Sequence, residues 1–293
     1  MARRFITVRE LTSQSTPTPH NTRRADDYHD EIYKVFTEGE QDGSSVHIPV
    51  LHEHLRWRKG FVYCFTGYPG AGKSEFINYL CVLHAKETGA KIAMFTPENY
   101  PAENQVINLM RSYLGKNVSK GYNNICTVEE WEAAKEFVHK HFFLIEFGDV
   151  PQLNELLYEY EILHETEGVG MFVTDPFNAV AEGSLGDGNI SKYLKVGLTQ
   201  MKIFAQQNKV INVIIEHPSK PLLNKDGSLP EVNPWMLYGG SMWWNKMDVI
   251  VSISREDNIT KIRVCKVKLQ RLNGVPGEKE LRYETESGRF MEL

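Results

Sequence analysis

Eight consecutive residues, Gly67-Tyr68-Pro69-Gly70-Ala71-Gly72-Lys73-Ser74, meet every fixed position of the pattern GxxxxGK[ST]. The chemistry of that spacing is phosphate binding. Glycines let successive backbone N–H groups turn inward around a β-phosphate at the positive end of a helix. Lys73 adds a positive charge toward the β- and γ-phosphates, and the Ser74 hydroxyl offers a ligand for Mg²⁺. Glu75 follows as part of the same nucleotide-binding stretch. The flanks agree with this reading. An apolar run, Phe61 to Thr66, reads as a strand, and Phe76, Ile77, Leu80, Leu83 and His84 recur with helical spacing. These residues predict a nucleoside triphosphate, ATP or another NTP, bound with Mg²⁺.

A phosphate loop needs acids for the metal and the attacking water. Asp175 closes the apolar run Met171 to Thr174, the setting of a metal-binding acid at the end of a buried strand. Glu98 follows Phe95-Thr96-Pro97, at the end of a second strand, where a carboxylate could orient or deprotonate water. His217 closes the strand Val210 to Ile215, where it could touch the γ-phosphate; Glu216 rivals it for that position. Two loops carry the means to hold single-stranded nucleic acid. Residues 182–190 are glycine-rich and lead to Lys192 and Lys195; residues 219–239 hold Lys220, Lys225, Trp235 and Tyr238. Backbone amides, lysines and an aromatic suit a sequence-independent grip on phosphates and bases.

The elements that must position these groups alternate. Strands are expected at 61–66, 91–96, 142–145, 170–175 and 210–215. Helices are expected at 27–36, after Ser74, and at 101–114, 127–139, 151–165 and 190–207. Thr127 with Glu130 has the spacing of a capping box. After residue 240 the texture changes to β segments at 248–254, 259–268 and 279–284. The predicted fold is α/β, a mostly parallel sheet covered on both faces with a C-terminal antiparallel extension. Residues 1–45 read as an arm or linker, with five arginines in the first 25 positions, and residues 46–293 as the catalytic domain.

Composition narrows the partners. The net charge of −5 gives no global basic field, so nucleic-acid contact must come from local clusters. Cys64, Cys81, Cys126 and Cys265 lack metal spacing and read as reduced thiols. No apolar run approaches the roughly 20 residues that span a bilayer. No membrane association and a cytoplasmic location, in a bacterial or phage-infected cell, are therefore expected. An organellar matrix is the alternative, since the basic, acid-poor first 25 residues could also serve as a transit peptide.

In order along the chain stand the phosphate loop, Glu98, Asp175-Pro176-Phe177-Asn178, Glu216-His217-Pro218-Ser219-Lys220, Gly240 to Asp248, and Lys266-Val267-Lys268. This set resembles the helicase domain of the Twinkle and phage primase-helicase group, among the DnaB-like hexameric helicases built on a RecA-like core. The resemblance covers about residues 45–290. It implies that Glu98 is the catalytic base, Asp175 the metal-binding acid, and His217 a sensor linking the γ-phosphate to DNA-binding loops. It also implies a basic pair donated by a neighbouring subunit. The family's Lys-x-Arg reads here as Lys266 and Lys268, with Arg271 three residues further on. Lysine cannot reproduce a bidentate guanidinium contact, so Lys268 and Arg271 both stand as candidates for the finger.

The resemblance implies an ATP-hydrolysing DNA helicase moving 5′→3′ on single-stranded DNA as a homo-hexamer, with separate primase and replisome partners. With about 45 residues ahead of the core, the chain is expected to make no primers, or to be a fragment. A RecA-like filament ATPase and a nucleotide-gated DNA-binding switch with little hydrolysis remain as alternatives.

Overall fold

The computed structural model describes residues 22–180, 189–219, 224–225 and 228–293. By contact density the chain divides into Met1–Gln41 and Asp42–Leu293. The first unit contributes a 3₁₀ turn, Ala25–Tyr28, and helix α1, His29–Glu38. Ile32, Tyr33, Val35 and Phe36 on α1 are exposed.

The second unit opens with a two-residue ribbon, β1 (Ser44–Ser45) paired antiparallel with β2 (Arg56–Trp57). Strands then alternate with helices: β3 (Val62–Thr66), α2 (Lys73–Thr88), β4 (Ile92–Phe95), α3 (Glu103–Leu114), α4 (Val128–His141), β5 (Phe142–Leu144) and α5 (Leu153–Glu167). β6 (Met171–Thr174), α6 (Ile190–Asn208), β7 (Ile211–Glu216) and α7 (Gly240–Lys246) follow. The chain ends with β8 (Val249–Glu256), β9 (Ile259–Val267), α8 (Gln270–Asn273), β10 (Gly277–Glu284) and β11 (Arg289–Glu292). Thr127 and Glu130 form the expected reciprocal cap on α4. Helix α3 starts two residues later than its apolar spacing predicts, because Pro101 and Ala102 form a turn in which Asn104 N–H donates to Pro101 O.

One nine-stranded sheet runs in the order β11-β10-β9-β8-β3-β7-β6-β4-β5. From β8 to β5 every pairing is parallel; β9, β10 and β11 extend it antiparallel. Alternation along each strand divides the core into two layers. Tyr63, Phe65, Val213 and Ile215 pack with Phe76 and Leu80 of α2 and Leu109 of α3. Val62, Cys64 and Ile214 face the other way, against Leu156, Tyr160, Leu198 and Met201. The expected RecA-like core with an antiparallel extension is the fold observed. β3 lies at its centre, between β7 and β8, so the loop that leaves its C-terminal end meets groups from both sides.

Candidate nucleotide site and its flanking cations

Residues 67–72 join β3 to α2 as a tight loop. Gly70 and Gly72 have φ of 79° and 82°, a left-handed conformation that glycine adopts without steric cost. A second constraint acts at Gly72, where an added Cβ would lie 2.0 Å from a guanidinium nitrogen of Arg255. Lys73 begins α2, is buried, and folds back over the loop. Its Nζ donates to the carbonyls of Gly67 (2.9 Å) and Tyr68 (3.1 Å). Burial lowers its pKa, opposed by Asp175, Glu75, Glu98 and Glu216 nearby. Pro69 and Ala71 complete the loop, and the Tyr68 hydroxyl donates to Pro230 O at 3.0 Å.

Because the strands are parallel, the C-terminal ends of β3, β4, β6 and β7 share one rim. Asp175 follows β6, is 7% exposed, and accepts a 2.6 Å hydrogen bond at Oδ2 from Ser74 Oγ. Burial raises its pKa to about 6, against the Ser74 bond and the Lys73 charge. Glu98 follows β4 with its carboxylate largely exposed, 3.8 Å from His217 Nε2. Burial, then Lys73, lowers the His217 pKa, and His217 Nδ1 is a buried nitrogen without a partner among the described residues. Glu216 is buried at the end of β7, accepts from the His217 backbone N–H at 2.9 Å, and is raised by burial to about 7. Ser74 with Asp175 fits Mg²⁺, which takes one or two protein oxygens and completes its shell from phosphates and water. Among the described residues no three His, Cys, Asp or Glu side chains gather as a metal cage.

The late cations lie elsewhere. In register, β3 residues 63–66 face β8 residues 249–252, and Val249 faces Val267 of β9. Lys266 and Lys268 therefore stand at the start of β3, and the loop leaves its end, roughly 15 Å away at about 3.3 Å per residue. Both are bound within the chain. Lys266 Nζ donates to Trp244 O and Met247 O at the end of α7, and sits 5.5 Å from the Trp244 ring centroid. Lys268 Nζ lies 3.1 Å from Asp248 Oδ1, which Lys202 also contacts at 2.5 Å. Asp248 Oδ2 accepts from Val62 N–H at 3.0 Å. Arg271 is exposed on α8, at the same end of the sheet.

Arg255 escaped the sequence reading. It leaves the C-terminal end of β8 beside the phosphate loop. Its guanidinium carbon lies 4.0 Å from the ring centroid of Tyr283 on β10, and Nε donates to Thr260 Oγ1 at 2.9 Å. One terminal nitrogen is buried without a partner among the described residues. Only the placement of β8 next to β3 reveals it, since neither residue falls in a local motif. Of the candidate nucleic-acid contacts, Lys192 is exposed in the first turn of α6 and Lys225 is exposed. Lys220 and loop residues 182–188 lie outside the described residues.

The chain is 27% identical over 284 residues to the Twinkle homolog protein, chloroplastic/mitochondrial, of Arabidopsis thaliana. The match takes in 90% of this chain and 39% of that protein's length. No protein-family model matches. Among solved structures, an isolated ATPase domain superposes with a TM-score of 0.74 at 14% identity, covering 93% of this chain and all of that one. A DnaB-like replicative helicase, solved to show its interactions with primase, gives 0.73 at 14%, covering 92% of this chain and 68% of that one. The resemblance to the Twinkle and DnaB-like group stated from the motifs therefore holds in sequence likeness and in fold.

Proposed function

We propose that the chain is the motor domain of an NTP-driven replicative DNA helicase. It acts as a ring, most simply a hexamer, translocates 5′→3′ on single-stranded DNA, and completes each hydrolytic site between subunits. One observation carries this reading. Phosphate loop, Asp175, Glu98 and His217 converge on one rim, while Lys266, Lys268 and Arg271 stand at the opposite end of the sheet. Those cations cannot serve their own chain's nucleotide; a neighbour in a ring can present them.

Ser74 and Asp175 would hold Mg²⁺, which neutralises charge on the β- and γ-phosphates. The chain's own residues supply the rest. Lys73 exchanges two backbone carbonyls for phosphate oxygens, and the first amides of α2 point at the same charge. Glu98 orients the attacking water and takes its proton. His217, beside Glu98 and at the head of the loop from 218 to 239, links the γ-phosphate to that loop. Lys192, Lys220 and Lys225 contact the DNA backbone, and residues 1–45 form an arm that docks on a neighbouring subunit. A separate primase and other replication proteins are the expected partners. Among the described residues no helix is long and apolar enough to cross a membrane. A cytoplasmic setting is part of the proposal, the named relative being organellar.

The test is ATP hydrolysis by the purified chain with and without single-stranded DNA, with Lys73→Ala as blank. Strong stimulation by DNA supports the motor. A slow rate indifferent to DNA favours the nucleotide-gated switch, a reading that the internal bonding of Lys266 and Lys268 also supports. Electron microscopy separates ring from filament.

A further inference from the structure

Behind Glu98 lies a set of buried amides that the motifs do not account for. Gln105 on α3 is 1% exposed and Asn78 on α2 is 3% exposed. Gln105 Nε2 donates to Asn78 Oδ1 at 2.8 Å, and Gln105 Oε1 accepts from Asn99 Nδ2 at 2.7 Å. Asn78 Nδ2 returns toward Gln105 Oε1 at 3.5 Å, and Met94 Sδ of β4 lies 3.4 Å from Gln105 Nε2. Asn78 is one helical turn beyond Ser74, and Asn99 directly follows Glu98. Asn99 N–H also closes the turn onto Thr96 O at 3.0 Å.

Burying an amide in an apolar layer is unfavourable unless its hydrogen bonds are met, and a leucine of similar size would pack there at lower cost. When the bonds are met, the network admits one arrangement of its members and resists others. Here the members are the helix that begins with Lys73 and Ser74 and the turn that carries Glu98.

We propose that Gln105 is a positioning residue. Through the bridge Asn78–Gln105–Asn99 it sets the Glu98 carboxylate against the phosphate loop, so that base and phosphate site keep one mutual geometry. The inference rests on the reading of Glu98 as the group that activates water. Gln105 touches no reacting atom; it acts on hydrolysis through the turn at 96–99 and leaves nucleotide binding to the loop itself.

The experiment compares Gln105→Leu with the parent chain for affinity toward a fluorescent ATP analogue with Mg²⁺ and for hydrolysis rate. Affinity is expected to stay within about 2-fold, and hydrolysis to fall about 10- to 100-fold, the range for an ångström-scale displacement of a reacting group. In a Glu98→Gln background the same substitution is expected to add less than about 2-fold, since a relay has nothing left to position. Equal slowing in both backgrounds, or an affinity loss as large as the rate loss, would overturn the proposal. If Gln105→Leu does not fold, Asn99→Ala cuts the bridge at its half-buried end and is read in the same way. A spin label on Glu98→Cys reports the turn without any hydrolysis. Its mobility is expected to rise when Gln105→Leu is added, and an unchanged spectrum sinks the bridge. A mobile label together with parental hydrolysis by Glu98→Gln sinks the function reading instead and leaves the bridge standing.

Discussion

The parallel half of the sheet and its antiparallel extension position charge by different means. In the parallel half, topology does the placing. Every strand ends on one rim, so Lys73, Glu98, Asp175 and His217 meet although 144 positions separate the first from the last. At the extension the direction reverses. β8 still runs with the parallel half and brings Arg255 to the phosphate loop, whereas β9, antiparallel to it, carries Lys266 and Lys268 to the far end of β3. A parallel sheet gathers unlike residues to one place. An antiparallel one sends like residues to opposite places, which suits the proposed arrangement of a subunit that feeds its own site and a neighbour's.

The sharpest way to break the comparison is at the far end. If a trans cation completes the site, one of Lys268→Ala and Arg271→Ala should lower DNA-stimulated hydrolysis on the order of 10³-fold, the low end for an arginine finger. Mixing that variant with Lys73→Ala subunits should restore part of the rate, because the two defects fall on different sites. No restoration in titrated mixtures would make the far end merely structural. Asp248→Ala tests the structural role directly. It leaves Lys202 without its close partner beside a buried strand end, and should cost about 3 kcal/mol in chemical denaturation. Lys268→Ala removes only the half-exposed partner and leaves Asp248 paired with Lys202, so it should cost under about 1 kcal/mol. At the near end, Arg255→Ala removes a stacked guanidinium from beside the loop. It should weaken nucleotide binding about 10-fold, measured by titration, while stability changes little.

The mildest contrast is in pH. His84, buried on α2 beside His47, has its pKa depressed to about 4, first by burial and then by His47 and Lys59. The unfolded chain therefore binds more protons than the folded one between about 6.5 and 4. Stability is full above 6.5 and falls with pH through that window, by about 2 kcal/mol at pH 5. His84→Gln should flatten that slope in melts at pH 5 and 7.5. The extension from 248 onward has no histidine, so acid should loosen the phosphate-loop half first. A melt of unchanged slope would remove His84 from the account.

What the sequence disclosed follows from the same contrast. The phosphate loop is contiguous, and Glu98, Asp175 and His217 each close an apolar run, so strand ends could be recognised one at a time. Arg255 and Tyr283 have no such local mark, since they meet across β9, through the pairing of Arg255 with Thr260 and of Leu281 with the same residue. Lys266 and Lys268 stood out by resemblance, but their partners Trp244, Met247 and Asp248 are tertiary facts. Helix α7 was invisible for a simpler reason: seven residues, two of them tryptophan, give no periodicity to read. Gln105 looked like any polar residue on an amphipathic helix until its burial was known.

The open sheet has one further consequence. Its borders are β5, three residues long, and β11, four. Arg289 on β11 spends its guanidinium on the carbonyls of Ser112 and Tyr113, tethering that border to the end of α3. Borders this short, one of them tethered, offer little unpaired backbone for another chain to add onto. Crowded copies are thereby steered away from growing into a continuous ribbon, and the proposed ring would be left to side-chain surfaces that can come apart and re-form.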